Sequence, residues 1–276
     1  MEGGESMKVI WVSLIVVCIV GVAVSQSGDV AKGKTPVLVE LFTSEGCSSC
    51  PPADGWLQWL DKNQPFPGVD FIVLSEHVDY WDHDGWKDTY SSPQFTARQA
   101  AYVRAMGLKD AYTPQVIVDG RSELNLSDTA QVNHVLHEAA KAPFIPIHIG
   151  AVTVDGGSQA VLRAHIDIDG ATEKHNSDIY AVIAIKHAES QVLHGENGGR
   201  RLQHVSVAQE PIRVGKLERG KPFSGDLKAK LNPGMDPANL RLVVFVQEQD
   251  SGSVDGAAVQ ELGALHAQTS SYAGVR

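Results

Sequence analysis

Cys47-Ser48-Ser49-Cys50 is the one place in this sequence where residue type and spacing point directly to chemistry. A C-x-x-C can be a redox pair, half of a metal site or a structural disulfide. A bridge across so short a loop removes little entropy from the unfolded chain, so structural use alone would gain little from it. The cysteines follow the apolar run Pro36 to Phe42, and Cys50-Pro51-Pro52-Ala53-Asp54 then opens a helix, where prolines fit the first turn. Cys47 therefore lies at the positive end of a helix dipole, where amide groups favour a thiolate. Placed before the helix, Cys47 is expected to meet solvent, with Cys50 shielded inside the first turn.

Other groups near the pair have weaker claims. His77, Asp79, Asp82, His83 and Asp84 form an imidazole and carboxylate cluster. With the cysteines they could build a copper or zinc site. No clear i, i+4 ligand pair is present, which favours a solvated loop whose aromatics Tyr80, Trp81 and Trp86 cover the edge of the site. Glu45 would oppose a thiolate, and reads as a solvent-facing loop charge. Thr43 and Ser44 read as turn residues. His204, beside Arg200 and Arg201, reads as shaping a turn or an interface between domains.

The elements that must position these groups fall into two textures. Strands at 36–42, 69–74 and 115–118 alternate with helices at 51–64, 93–104 and 128–141, an α/β pattern. Thr113-Pro114 leads into the third strand, where extended backbone could lie beside the cysteines. From Pro143 onward, short strands follow one another at 147–154, 159–168, 179–187, 202–207, 212–217, 223–231 and 240–248, which reads as a β-sandwich. The expected organisation is a signal peptide at 1–25, a leader at 26–35, a first domain at 36–142, a β-rich domain at 146–250 and a C-terminal segment at 251–276.

Length and composition agree with this division. At about 150 residues per domain, 276 residues suggest two. Apolar residues make up 43% and charged residues 20%, enough apolar material for real cores. A formal charge of -10 argues against nucleic acid as a partner. Three cysteines are too few for a four-cysteine zinc site or a disulfide-dense scaffold. The uncharged run Val9 to Val24 follows Lys8 and ends at Ala23-Val24-Ser25, a small-x-small cleavage pattern. Cleavage before Gln26 would remove Cys18 and deliver Cys47 and Cys50 to an oxidising, extracytoplasmic compartment, secreted or periplasmic. Contact with membrane is then expected only through an uncleaved signal segment. N-terminal sequencing of the exported protein should begin near Gln26, and recovery of residues 9–24 in the membrane fraction would overturn cleavage.

A strand, a CxxC at a helix start and a Thr-Pro before a later strand resemble the thioredoxin fold, in which that proline is cis and borders the active site. The strings LVELFTSEGCSSCPPAD at 38–54, HVDYWD at 77–82, YTPQVIVDG at 112–120 and GENGGRRLQHVSV at 195–207 resemble more closely the secreted thioredoxin-like family catalogued as domain of unknown function 1223. The resemblance spans roughly 36–248 and implies a thioredoxin-like N-terminal domain followed by a β-rich, β-sandwich-like domain. The CxxC at a helix start points to an exported thiol–disulfide oxidoreductase with protein thiols or disulfides as partners and no cofactor. Cys47 and Cys50 would be catalytic, and Thr113 and Pro114 would form the substrate-binding edge. The alternative on the same scaffold is a non-enzymatic carrier of copper or zinc, or a binding module.

Overall fold

The computed structural model describes Met1 and residues 33–155, 160–170 and 175–262. The expected signal peptide therefore lies outside the described residues, apart from Met1, as do most of the leader and the chain beyond residue 262. The described residues from Lys34 onward form one compact unit. Among the described residues no helix is long and apolar enough to cross a membrane.

The fold is mixed α/β, mostly sheet. The first half runs β1 (Thr35–Thr43), α1 (Pro51–Asn63), β2 (Val69–His77), α2 (Pro93–Ala105), β3 (Gln115–Val118), β4 (Ser122–Leu124) and α3 (Thr129–Ala139). The second half adds β5 (Ile147–Ile149), β6 (Thr153–Asp155), β7 (Val161–Ile168), β8 (Ser177–Gln191), β9 (Arg201–Ala208), β10 (Ile212–Leu217), β11 (Phe223–Lys230), β12 (Leu240–Glu248) and β13 (Val254–Leu262). Where the sequence suggests one strand at 147–154, two short ones stand either side of Gly150. β4 and β13 were not anticipated, and β8 extends beyond its expected ends.

A nine-stranded mixed sheet runs β13-β12-β8-β9-β2-β1-β3-β4, with β10 also on β8. β1 is parallel to β2 and antiparallel to β3. The sheet crosses the boundary expected at 142–146, because Ser75 of β2 pairs with Val207 of β9. β7, β11, β5 and β6 make a separate four-stranded sheet. Strand period explains the packing, since successive side chains face opposite ways. Val37, Val39 and Leu41 of β1 pack with Leu57 and Leu60 of α1 and Leu136 of α3. Leu38 and Phe42 face the other way and pack with Phe95 and Tyr102 of α2. Val182 of β8 and Val243 and Phe245 of β12 belong to that same core, so α2 lies against strands of both halves. The other faces of β8 and β12 carry Ile179, Ile183, Leu242 and Val244, which pack with Leu162 and Ile166 of β7. Burial on both faces is why these strands read as near-continuous apolar runs.

Asp119 closes the β3–β4 hairpin in the left-handed region, φ 48°, where Asp and Asn are tolerated best. Its Oδ1 accepts from Leu38 N at 2.8 Å and its own N–H donates to Leu38 O at 2.9 Å. Burial pushes its carboxyl up to about 7, against the opposing effect of the Leu38 amide. A carboxyl raised on folding contributes full stability below its unfolded value near 3.8, and loses it as pH climbs through about 7. Between pH 5 and 8 this group should cost about 3 kcal/mol. Asp119→Asn keeps the acceptor and the left-handed backbone, so its thermal midpoint should fall less over that range than the wild type's. Equal pH dependence in the two proteins would contradict this.

Candidate functional site

Buried β1 ends at Thr43, and the chain turns through Ser44-Glu45-Gly46 to the cysteines before α1 begins at Pro51. Cys47 and Cys50 form a disulfide, with Cα atoms 5.4 Å apart. Cys50 is the residue before the helix, and its carbonyl accepts from Ala53 N and Asp54 N at 2.9 and 3.1 Å. On the far side of β1, β3 pairs Gln115 with Phe42, which brings the preceding Thr113-Pro114 alongside the end of β1. The Thr113–Pro114 peptide is cis, the isomer the resemblance implies. Ser49 Oγ lies 3.3 Å from Cys47 Sγ and donates to Thr113 O at 3.5 Å, so one hydroxyl joins the CxxC to the proline loop. The sheet thus brings together all four residues singled out in the sequence.

Both cysteines are 0% exposed, whereas the sequence suggests an open Cys47. The difference arises from segments distant in sequence. Gly46 sits against Trp81, where an added Cβ would come within 3.1 Å of the tryptophan Cβ. Trp81 Nε1 donates to Thr113 Oγ1 at 2.7 Å. From the second half, the β8–β9 turn reaches over the pair. Glu196 Oε2 accepts from Ser48 N at 3.1 Å, and Asn197 Nδ2 donates to the carbonyls of Glu45 and Cys47 at 2.9 Å each.

A sealed polar cluster involves the same loop. Glu45 is buried and does not face solvent as its loop position suggests. Its Oε2 accepts from Trp86 Nε1 at 2.7 Å and its N–H donates to Asp88 Oδ2 at 2.9 Å. Asp88 Oδ2 also meets His77 Nδ1 at 2.7 Å. Burial opposes both charges of this pair, yet the pairing prevails: His77 is raised and Asp88 lowered from their ordinary values. His204 of β9 stands edge-on to His77, ring centres 4.7 Å apart. It lies between Glu45 Oε1 at 3.9 Å and Asp54 Oδ1 at 3.7 Å, within ion-pair range of both and hydrogen-bonded to neither. Thr43 Oγ1 donates to Asp54 Oδ1 at 3.0 Å, so Thr43 is more than a turn residue.

The His and Asp residues after β2 scatter. His77 turns inward to Asp88, Asp79 accepts from Thr96, Asp82 accepts from Ser91, and His83 and Asp84 are exposed. Among the described residues no group of three or more His, Cys, Asp or Glu is arranged to hold a metal ion. Sequence reasoning missed Asp54, Asp88, Glu196 and Asn197. Asp54 had a local signal, four residues after Cys50 and thus on the same helix face. Asn197 had none, because a Gly-flanked Asn is ordinary turn composition.

No curated protein matches the chain. Among solved structures it is similar to the crystal structure of protein AGR_C_4864 from Agrobacterium tumefaciens, at 26% identity and a TM-score of 0.62, over 84% of this chain and 96% of that one. It is also similar in fold to HBP35 of Porphyromonas gingivalis, at 14% identity and a TM-score of 0.59, over 83% of this chain and 76% of that one. The match over residues 38–247 shows that the chain belongs to the family described as protein of unknown function, DUF1223.

Proposed function

We propose that this protein is an exported thiol–disulfide oxidoreductase on a thioredoxin-like scaffold, with a β-sandwich-like second half and protein thiols or disulfides as partners. The observation that carries the reading is a disulfide at the start of α1, linked through Ser49 to a cis Thr113–Pro114 loop on the adjoining strand. β1 leading into the cysteines and β3 leading out of the proline loop, paired antiparallel, support the scaffold assignment.

In the reaction, a partner thiolate attacks Cys47 Sγ and the S–S bond breaks. Cys50 leaves as a thiolate and takes up a proton. The partner's second thiol then attacks the mixed disulfide, the partner leaves oxidised, and Cys47 is released as a thiol. Two electrons and two protons pass from the partner dithiol to the pair, and the reverse sequence reduces a partner disulfide. Ser49 Oγ, 3.3 Å from Cys47 Sγ, is placed to turn its single O–H from Thr113 O to a Cys47 thiolate. Thr113 offers backbone groups to an extended partner.

The test pairs an insulin-reduction assay with an anaerobic titration of the reduced protein with copper(I) and zinc(II). Catalysed insulin reduction that is lost in Cys47→Ser supports the proposal. Stoichiometric metal binding through the cysteines without catalysed exchange would replace it with the carrier reading.

A further inference from the structure

We propose that the β8–β9 turn is a latch over the disulfide, and that Asn197 is the residue that holds it shut. The inference rests on reading Cys47–Cys50 as a pair that undergoes thiol exchange. It adds a role for the second half of the chain in controlling that exchange.

Exchange requires the incoming sulfur to approach along the S–S axis, with direct access to Sγ. Neither cysteine has exposed surface, so a covering group must move before attack. The candidates differ in how firmly they are held. α1 is anchored in the core through Leu57 and Leu60, and the proline loop runs straight into buried β3. The Trp81 loop is tied at several points, by Thr96 to Asp79, by Ser91 to Asp82 and by Trp81 to Thr113. The β8–β9 turn is different. Leu193 to Glu196 and Gly198 to Arg200 are exposed, and Asn197 alone among them is buried, at 0% exposure.

The turn's polar hold on the CxxC segment comes from the Asn197 amide, through two hydrogen bonds, and from the Glu196 carboxylate, which accepts from Ser48. Segments held by few contacts open locally at low free energy. Gly195 lies against the chain at Asp84 and Trp86, where an added Cβ would come within 3.1 Å of Asp84 O. Gly195 and Gly199 adopt φ +74° and +83°, left-handed values that other residues resist. Inside the turn Asn197 is preorganised, its Oδ1 accepting from Arg200 Nη1 at 3.0 Å. One side chain therefore joins the turn to the carbonyls on either side of Gly46, directly beside the sulfur under attack.

The test measures how fast dithiothreitol reduces the disulfide in the mature chain, by quenched alkylation and mass spectrometry. In that reaction one dithiothreitol thiolate attacks a cysteine sulfur, its second thiol closes the cyclic disulfide, and both cysteines emerge as thiols. Asn197→Ala removes both hydrogen bonds from the turn to the CxxC carbonyls, so its rate should rise about tenfold or more. Gly199→Ala leaves every latch contact in place, and its Cβ meets nothing within 4 Å, but it strains the closed turn at φ +83°. Its rate should rise about fivefold. Thermal melts establish that each variant folds, and Gly199→Ala decides the matter if Asn197→Ala does not.

Wild-type reduction rates in the folded variants would overturn the latch. Faster reduction by dithiothreitol in variants that, like the wild type, fail to reduce insulin would support the latch while removing the oxidoreductase reading.

Discussion

Arg98→Met should lower stability by about 3–5 kcal/mol, the cost of leaving a buried charge without its partner. Arg98 reaches from α2 into the sheet core. Its Nε and Nη2 donate to Glu40 Oε1 at 2.8 and 2.5 Å, Nη1 donates to Gln247 Oε1 at 2.8 Å, and Nη2 donates to Tyr102 Oη at 2.7 Å. Tyr102 Oη in turn donates to Glu40 Oε2 at 2.6 Å and accepts from Gln247 Nε2 at 3.0 Å. The guanidinium carbon lies 5.0 Å from the ring centres of both Tyr102 and Phe245. Glu76 Oε1 stands 3.3 Å from Arg98 Nε.

One cation thus faces two buried carboxylates. Burial, opposed by Arg98 and reinforced by Glu40, holds the Glu76 carboxyl well above its usual range. Removing Arg98 leaves Glu40, at 0% exposure, with no cation beside it. For a body of this size 1 kcal/mol corresponds to roughly 2–4 °C, so the midpoint should fall by about 10 °C. Glu40→Gln combined with Arg98→Met should recover part of the loss, because the stranded charge is gone. A single Arg98→Met variant that melts within about 1 kcal/mol of the wild type would contradict this account.

The network also bears on how the halves are joined. Glu40 and Arg98 precede the boundary expected at 142–146, and Gln247 follows it. Arg241 of β12 holds Asp61 of α1 through two hydrogen bonds of 2.7 and 3.1 Å, and Gln58 of α1 donates to Gln203 O of β9 at 2.6 Å. Wild type and Arg98→Met should therefore each melt in one transition.

How much of this the sequence announced depends on whether the signal is local. Strand β1 and helix α1 are written in short-range patterns, an apolar run followed by prolines in a first turn. The cysteines at their junction could be found without any long-range contact. The four-residue spacing of Cys50 and Asp54 was equally local. Glu45 shows where such reasoning fails. A carboxylate in a loop ordinarily faces water, and here it is covered by Trp86, Asp88 and Asn197, the last lying 152 residues away in the chain. Asn197 also holds the carbonyl of Cys47, which is buried where helix geometry alone leaves it open. The β-rich half misled in a related way. Each strand was legible as a strand, but period-2 patterning does not say which sheet a strand joins. β8, β9 and β12 continue the sheet of β1 and β2, while β7 and β11 form a second.

Cys47→Ser should reduce catalysed thiol exchange to the background rate, and Cys50→Ser should accumulate covalent mixed disulfides with partner proteins. The asymmetry follows from position. Both sulfurs are buried, so exposure alone does not distinguish them. Their surroundings do. Cys47 lies in the turn, bounded by exposed Ser48 and Ser49, with the Ser49 hydroxyl 3.3 Å from its sulfur and the Asn197 amide on its carbonyl. Moving the β8–β9 turn aside would uncover this side of the pair first. Cys50 immediately precedes Pro51 at the head of α1, with Asp54 one helical turn further on. Cys47, with the Ser49 hydroxyl 3.3 Å from its sulfur, is the better-placed attacking sulfur.

Reduced protein should therefore alkylate at Cys47 before Cys50. Without Cys50 a mixed disulfide on Cys47 has no internal thiol to resolve it, so non-reducing gels of Cys50→Ser should show adducts that dithiothreitol dissolves. Cys47→Ser should show none. Faster alkylation at Cys50, or adducts on Cys47→Ser instead, would reverse the assignment of attacking and resolving sulfur.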